Sequence, residues 1–222
     1  MNDFLCSAPT TMTSSCLIIG ISGATCAGKS TLAQALAAIF PQVRHINQDD
    51  YYYPEDHPRH QWVSALNHIN WELPSACDMD QLYDDMIRGQ THRTVNQANS
   101  NIIPLTPEQL KVVADFRTLG HNLPSPVLIL EGITLFNHEP VRDACDWRFF
   151  LTLDYDECRK RRNQRAYDPP DVPKYFDTVV WPQYQSNESL LRSSMAHQID
   201  FLDGSQEFRA LLDAILKRIV HP

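Results

Sequence analysis

The stretch from Leu17 to Phe40 constrains the fold more than any other part of the chain. Leu17–Ser22 (LIIGIS) is a short β-branched apolar run of the kind found in a strand covered on both faces. Gly23-Ala24-Thr25-Cys26-Ala27-Gly28-Lys29-Ser30 follows and fits G-x-x-x-x-G-K-[ST] without a gap. Leu32, Ala35, Leu36 and Ile39 then recur at helical spacing until Pro41 stops the pattern. Glycines let such a turn fold tightly and aim its N–H groups at phosphates, while the helix presents its positive end. Lys29 is placed to reach the outer phosphates, and the Ser30 hydroxyl to ligate Mg²⁺. The segment from Gly23 to Thr31 is thus expected to hold a nucleoside triphosphate with Mg²⁺.

Further strands are expected at Val43–Asp49, Val127–Leu130, Arg148–Leu153 and Ile199–Leu202. Thr106-Pro107-Glu108-Gln109 is a capping box that opens a helix running to Gly120. Asp154 can cap a helix over Tyr155–Arg165, with acids in its first turn and arginines in its last, as the macrodipole prefers. Phe208, Leu211, Leu212, Ile215, Leu216 and Ile219 form the apolar stripe of a C-terminal helix. Strands alternating with helices point to the α/β class: a three-layer P-loop NTPase fold with a central parallel sheet of about five strands and a helical lid. No repeat or linker splits the chain, so residues 17–222 are expected to form one domain.

The net charge of −8 argues against duplex DNA or anionic lipid bound through a diffuse basic surface. No apolar run approaches the ~18 residues of a membrane span. Six scattered cysteines, with no CxxC, read as free thiols in a reducing compartment. Residues 1–16 are Ser/Thr-rich and resemble no targeting signal, so they are expected to be a disordered tail of a cytoplasmic protein. The nine histidines form no constellation, and His57, His60 and His68 read as surface residues.

Two more strands end in acids, Asp49-Asp50 and Glu131-Gly132. In parallel α/β sheets the ligand lies outside the carboxyl ends of the strands, so these ends should converge on one crevice. There Asp49 is placed to accept a proton from a substrate hydroxyl attacking the γ-phosphate, with Glu131 orienting Mg²⁺ or its waters. One of Asp49 and Asp50 is expected to cap a helix instead. The basic run containing Arg161, Arg162 and Arg165 leads into Ala166-Tyr167-Asp168-Pro169-Pro170-Asp171, a stiff extended turn. A basic helix entering such a turn suits a lid that carries arginines to a transferring phosphoryl group, and Arg161 and Arg165 are expected to contact the triphosphate.

The combination Gly20-Ile21-Ser22-Gly23…Gly28-Lys29-Ser30-Thr31-Leu32-Ala33, Asn47-Gln48-Asp49-Asp50-Tyr51-Tyr52 and Ile129-Leu130-Glu131-Gly132…Leu135-Phe136-Asn137 resembles the nicotinamide riboside kinases. So does Arg161-Arg162…Arg165-Ala166-Tyr167…Pro169-Pro170-Asp171…Tyr175-Phe176-Asp177…Val180-Trp181-Pro182. These kinases belong to the uridine kinase-like branch of the P-loop kinases. The resemblance covers most of residues 17–204, and it implies ATP-dependent phosphorylation of the riboside 5′-hydroxyl on a salvage route to NAD. It assigns Asp49 as catalytic base and Lys29, Ser30 and Glu131 to the phosphate and Mg²⁺ apparatus. Arg165 matches a lid arginine near the phosphates, and residues 155–182 match the lid and substrate-binding region. Glu72, with Arg162 beside it, matches an acid on the ribose hydroxyls; Trp71 and Tyr167 match rings that sandwich the pyridine; Asp171 matches a contact to the carboxamide. The implied partners are a small-molecule riboside and a nucleoside triphosphate, with no nucleic acid and no membrane, in a monomer or homodimer.

Two departures stand out. The family often has Tyr-Asp where this chain has Trp71-Glu72, and the segment from Gly89 to about Ser125 is longer than expected, so residues 91–105 read as a surface insertion. The pyridinium is cationic whereas uracil and cytosine are neutral, and two electron-rich rings would attract it by ~0.5–2 kcal/mol. A uridine/cytidine or other nucleoside kinase is the nearest alternative. A nucleotide-dependent switch is disfavoured, since no NKxD motif is present.

Overall fold

The structure is a computed structural model that describes residues 16–88, 104–120, 126–167 and 169–221. The expected tail (except Cys16) and the expected insertion (except its last two residues) therefore lie outside the described residues. A parallel sheet carries the fold. Its strands are β1 (Leu17–Gly23), β2 (Val43–Asn47), β5 (Val127–Glu131), β6 (Trp147–Thr152) and β7 (Asp200–Asp203), in the order β2-β5-β1-β6-β7. A two-stranded antiparallel ribbon, β3 (Trp62–Val63) and β4 (His68–Ile69), stands apart from it.

The centre of the sheet is dry. Ile19 and Ile21 of β1 and Val127–Leu130 of β5 are all buried, which only a strand covered on both faces can sustain. Helix α1 (Lys29–Ile39) buries Leu32, Ala33, Ala35, Leu36 and Ile39 and packs on β1, β2 and β5, and on α3 (Pro107–Gly120) and α7 (Phe208–Val220). Helix α7 buries Leu211, Leu212, Ile215, Leu216 and Ile219 of the stripe expected of it, and leaves Phe208 partly buried at its start. The α3 capping box is formed: Thr106 N–H donates to Gln109 Oε1 at 2.8 Å, and Gln109 N–H donates to Thr106 Oγ1 at 3.2 Å. Helix α2 (Met79–Arg88) contacts α4 (Glu139–Ala144), and α5 (Tyr155–Arg162) and α6 (Trp181–Met195) complete the helical layers.

Three boundaries differ from expectation. β2 ends at Asn47, and Gln48–Tyr51 is a 3₁₀ turn. Its cap is neither Asp49 nor Asp50 but Asn47, whose Oδ1 accepts the Asp49 N–H at 2.9 Å. α5, capped by Asp154 as expected, stops at Arg162, and Gln164 and Arg165 N–H tighten onto the carbonyls of Arg161 and Arg162. Residues 176–195, for which no helix was foreseen, form a π-helical turn (Phe176–Val180) running into α6, whose second residue is Pro182.

The register lines up the functional ends. Ile21 and Asn47 both lie beside Glu131, and Gly23 lies beside Leu151. The phosphate loop, the Asp49 turn and Glu131 thus leave the sheet together at its carboxyl edge. The five described cysteines are all free, and no described helix is long and apolar enough to cross a membrane.

Candidate active site

The phosphate loop is shaped by backbone that side chains resist. Gly23 (φ 127°), Cys26 (φ 58°) and Gly28 (φ 95°) all have positive φ. A Cβ on Gly23 would lie 2.1 Å from the Leu151 carbonyl oxygen, so the loop leaves β1 pressed against β6. Lys29, buried at the start of α1, donates to the carbonyls of Gly23 (3.2 Å) and Ala24 (2.7 Å). Burial pushes its ammonium pKa down, against the pull of Asp49 and Glu131.

Thr25, Cys26, Lys29 and Ser30 line a crevice of about 460 Å³, together with Asp49, Trp71, Glu72, Glu131, Arg162, Arg165, Tyr167 and Asp171. Gly23, Ala24, Ala27, Gly28 and Thr31 build the loop and the first turn of α1 without lining it. Arg161 is placed elsewhere. Its Nη1 donates to the carbonyls of Cys26 (3.3 Å) and Gly204 (3.2 Å) and its Nε to Glu157 (2.7 Å), so it braces the loop from outside the crevice.

Asp49 is exposed and lines the crevice. Desolvation by the surrounding protein raises its carboxyl pKa, Lys29 lowers it, and the neighbouring Glu131 raises it again. Glu131 is only 3% exposed, and its Oε1 lies 2.9 Å from Nε2 of His45 on the adjacent strand. Among the described residues no group of three or more His, Cys, Asp or Glu could hold a metal alone. Ser30, Asp49 and Glu131 are hard oxygen donors on one crevice wall, a set that fits Mg²⁺ arriving on a triphosphate.

The remaining wall is aromatic and charged. Trp71 leaves the turn after β4, and its backbone is pinned twice: its N–H donates to Tyr175 Oη at 2.9 Å, and its carbonyl accepts from Tyr52 Oη at 3.1 Å. The rings of Tyr52 and His60 meet it edge-on, at centroid distances of 5.7 and 4.6 Å. Glu72 is buried, which raises its carboxyl pKa, and Arg162 at 3.3 Å opposes that rise. Tyr167 rests its hydroxyl 3.3 Å from Cys26 Sγ and 3.5 Å from Thr25 Oγ1. The Arg162 and Arg165 guanidiniums sit 4.4 and 5.7 Å from its ring centroid.

Sequence reasoning missed Tyr52, Tyr175, His45 and His60. The histidines of the 57–68 stretch are half-buried rather than on the surface, with His68 only 4.9 Å from Tyr175. The signal for Tyr52 and Tyr175 was their place inside the Asp49-to-Tyr52 and Tyr175-to-Pro182 motifs. Nothing local distinguished His45.

Residues 18–169 match a family model described as the phosphoribulokinase/uridine kinase family. Nicotinamide riboside kinase 1 of Mus musculus is 30% identical over 91% of this chain and 93% of its own length. Nicotinamide riboside kinase of Schizosaccharomyces pombe is 28% identical over 81% of this chain and 82% of its own. Uridine kinase of Chlamydia pneumoniae is 32% identical over 73% and 67%.

Proposed function

The chain belongs to the phosphoribulokinase/uridine kinase family, and we propose that within it this protein transfers the γ-phosphoryl group of ATP to the 5′-hydroxyl of nicotinamide riboside. The observation that carries this reading is the single crevice shared by Lys29, Asp49, Trp71 and Tyr167. One part suits a triphosphate tail and another a flat sugar-bound ring, with a carboxylate available to both. Likeness to kinases whose names specify that riboside supports the choice of acceptor.

In this mechanism the phosphate loop amides and Lys29 hold the β- and γ-phosphates, and Arg165 adds charge where it develops during transfer. Ser30 and Glu131 would hold Mg²⁺, which would supply charge neutralisation at the phosphate oxygens. Asp49 accepts the proton of the attacking 5′-hydroxyl, and its raised pKa brings it closer to working pH as a base. Trp71 and Tyr167 face the pyridinium, Glu72 and Arg162 the ribose, and Asp171 the carboxamide. Residues 155–182 act as the lid that supplies Arg162, Arg165, Tyr167 and Asp171. Six carboxylates against three basic side chains line the crevice, which favours a cationic acceptor ring over a neutral one.

The test is product identification. Incubation of nicotinamide riboside with ATP should yield nicotinamide mononucleotide and ADP in equal amounts, with nicotinic acid riboside, uridine and cytidine as alternative acceptors and GTP as the alternative donor run in parallel. Nucleotide turnover without a phosphorylated riboside would reject the reading.

A further inference from the structure

The sheet ends at one of the two crevice acids and just before the other. The last β2–β5 pair is Asn47 beside Glu131, and after it the β2 chain turns into the 3₁₀ segment that carries Asp49. Backbone hydrogen bonds cannot continue the ladder through that turn. The side chain of Gln48 takes their place. It is fully buried, and its Oε1 accepts the Thr134 N–H at 3.1 Å. Its Nε2 donates to Thr134 Oγ1 at 2.5 Å and lies 3.3 Å from Met79 Sδ of α2.

Gly132 makes this approach possible. A Cβ there would fall 2.1 Å from Gln48 Oε1 and 2.4 Å from Gln48 Cβ. Two dipeptides therefore interlock, Gln48-Asp49 and Glu131-Gly132, each with one residue that locks and one acid that lines the crevice. Thr134, itself buried, closes the lock.

We infer that Gln48 is a positioning residue that, with Thr134 and Gly132, keeps the Asp49 turn in register with the Glu131 strand end. The inference rests on the kinase reading above, in which these two acids act on one transfer. Catalytic groups need placement to within about 0.5 Å, and a carboxylate on a turn past the end of β2 lacks that precision relative to one fixed at the end of β5 unless something ties the turn to the strand. An amide buried with both ends bonded supplies it, because any slip of one turn against the other leaves a buried donor or acceptor unpaired.

The test compares Gln48→Met, which keeps length and loses every polar contact, with Thr134→Val and Thr134→Ser. Each is assayed at saturating Mg²⁺ and ATP with whichever riboside the native chain turns over, and kcat is expressed per folded molecule. Gln48→Met and Thr134→Val are expected to lower kcat about tenfold or more, with both KM values within about threefold, while Thr134→Ser, which keeps the hydroxyl, restores most of kcat. In an Asp49→Asn background the Gln48→Met loss should shrink to less than about threefold, because the residue acts through the acid already removed.

A lowered melting temperature with kcat unchanged in both variants would overturn the inference, and so would an undiminished loss in the Asp49→Asn background. If Gln48→Met does not fold, the Thr134 pair decides alone. If the native chain phosphorylates uridine and not nicotinamide riboside, the proposed acceptor fails while the same comparison on uridine still decides the lock.

Discussion

Arg162 and Asp171 meet as a two-pronged pair, Nε to Oδ2 at 2.6 Å and Nη2 to Oδ1 at 2.9 Å, with Arg162 only 6% exposed. The same guanidinium reaches Glu72 and donates to Thr25 Oγ1 at 3.3 Å, so one cation joins Glu72 and Asp171 to the phosphate loop. Burial lowers the arginine's affinity for its proton, and the bond to Asp171 and the charge of Glu72 more than restore it. Arg162→Met leaves the buried Glu72 carboxylate without its cation. It should cost about 3 kcal/mol of stability in urea denaturation, the low end for a broken buried pair because Asp171 keeps access to solvent. It should also raise the acceptor KM.

Trp71 is held by backbone bonds to Tyr52 and Tyr175, so its removal should leave the crevice in place. Trp71→Ala is expected to weaken riboside binding about 2- to 30-fold, the range of one cation–π contact, and to leave the affinity for ATP nearly unchanged. Isothermal titration of the two ligands separately checks this. Equal losses of both would remove Trp71 from the acceptor site.

The pH dependence of kcat/KM follows from two opposed shifts. In the proposed mechanism Asp49 must be ionised to act as base, and its pKa is raised, so activity is predicted to rise with pH along a limb lying above the ordinary value of 3.8. The same proposal requires Lys29 to be protonated, and its pKa is lowered, so activity is predicted to fall along a limb lying below 10.5. Asp49→Asn should cut turnover ~10²–10⁴-fold, keep the binding of both ligands, and erase the acid limb. Persistence of that limb in the variant would assign it to another group.

Arg161 makes a different prediction from its neighbours. It bonds the carbonyls of Cys26 and Gly204 from behind the phosphate loop. Arg161→Met should therefore raise the KM for ATP and lower the melting temperature, without the acceptor specificity changing. A shift in riboside preference would contradict that placement.

The strand, phosphate loop and first helix were legible because they are contiguous and their chemistry is local. Asp49 and Glu131 were legible from a topological rule that places strand ends on one crevice, and the register bears it out. The arginines were read as one charged run, but adjacent residues on a helix face different ways, so Arg161 turns to the loop carbonyls and Arg162 to the crevice. Contacts such as Tyr175 with Trp71, His45 with Glu131 and Gln48 with Thr134 join residues far apart in the chain. They require the register of neighbouring strands, which no local pattern carries. Helix α2 does open on a side-chain cap, with Asp78 Oδ1 accepting the Gln81 N–H at 3.0 Å, and that Asp78-to-Gln81 signal was passed over, whereas α6 continues a π-helical turn and has no side-chain cap to read.

The most direct measurement is the ratio of kcat/KM for nicotinamide riboside to that for uridine, taken on the native chain with Mg²⁺ and ATP. A crevice that presents Trp71 and Tyr167 to the acceptor and carries an excess of carboxylates predicts a preference for the cation of about tenfold or more. Equal efficiency on both ribosides, or a preference for uridine, would contradict it.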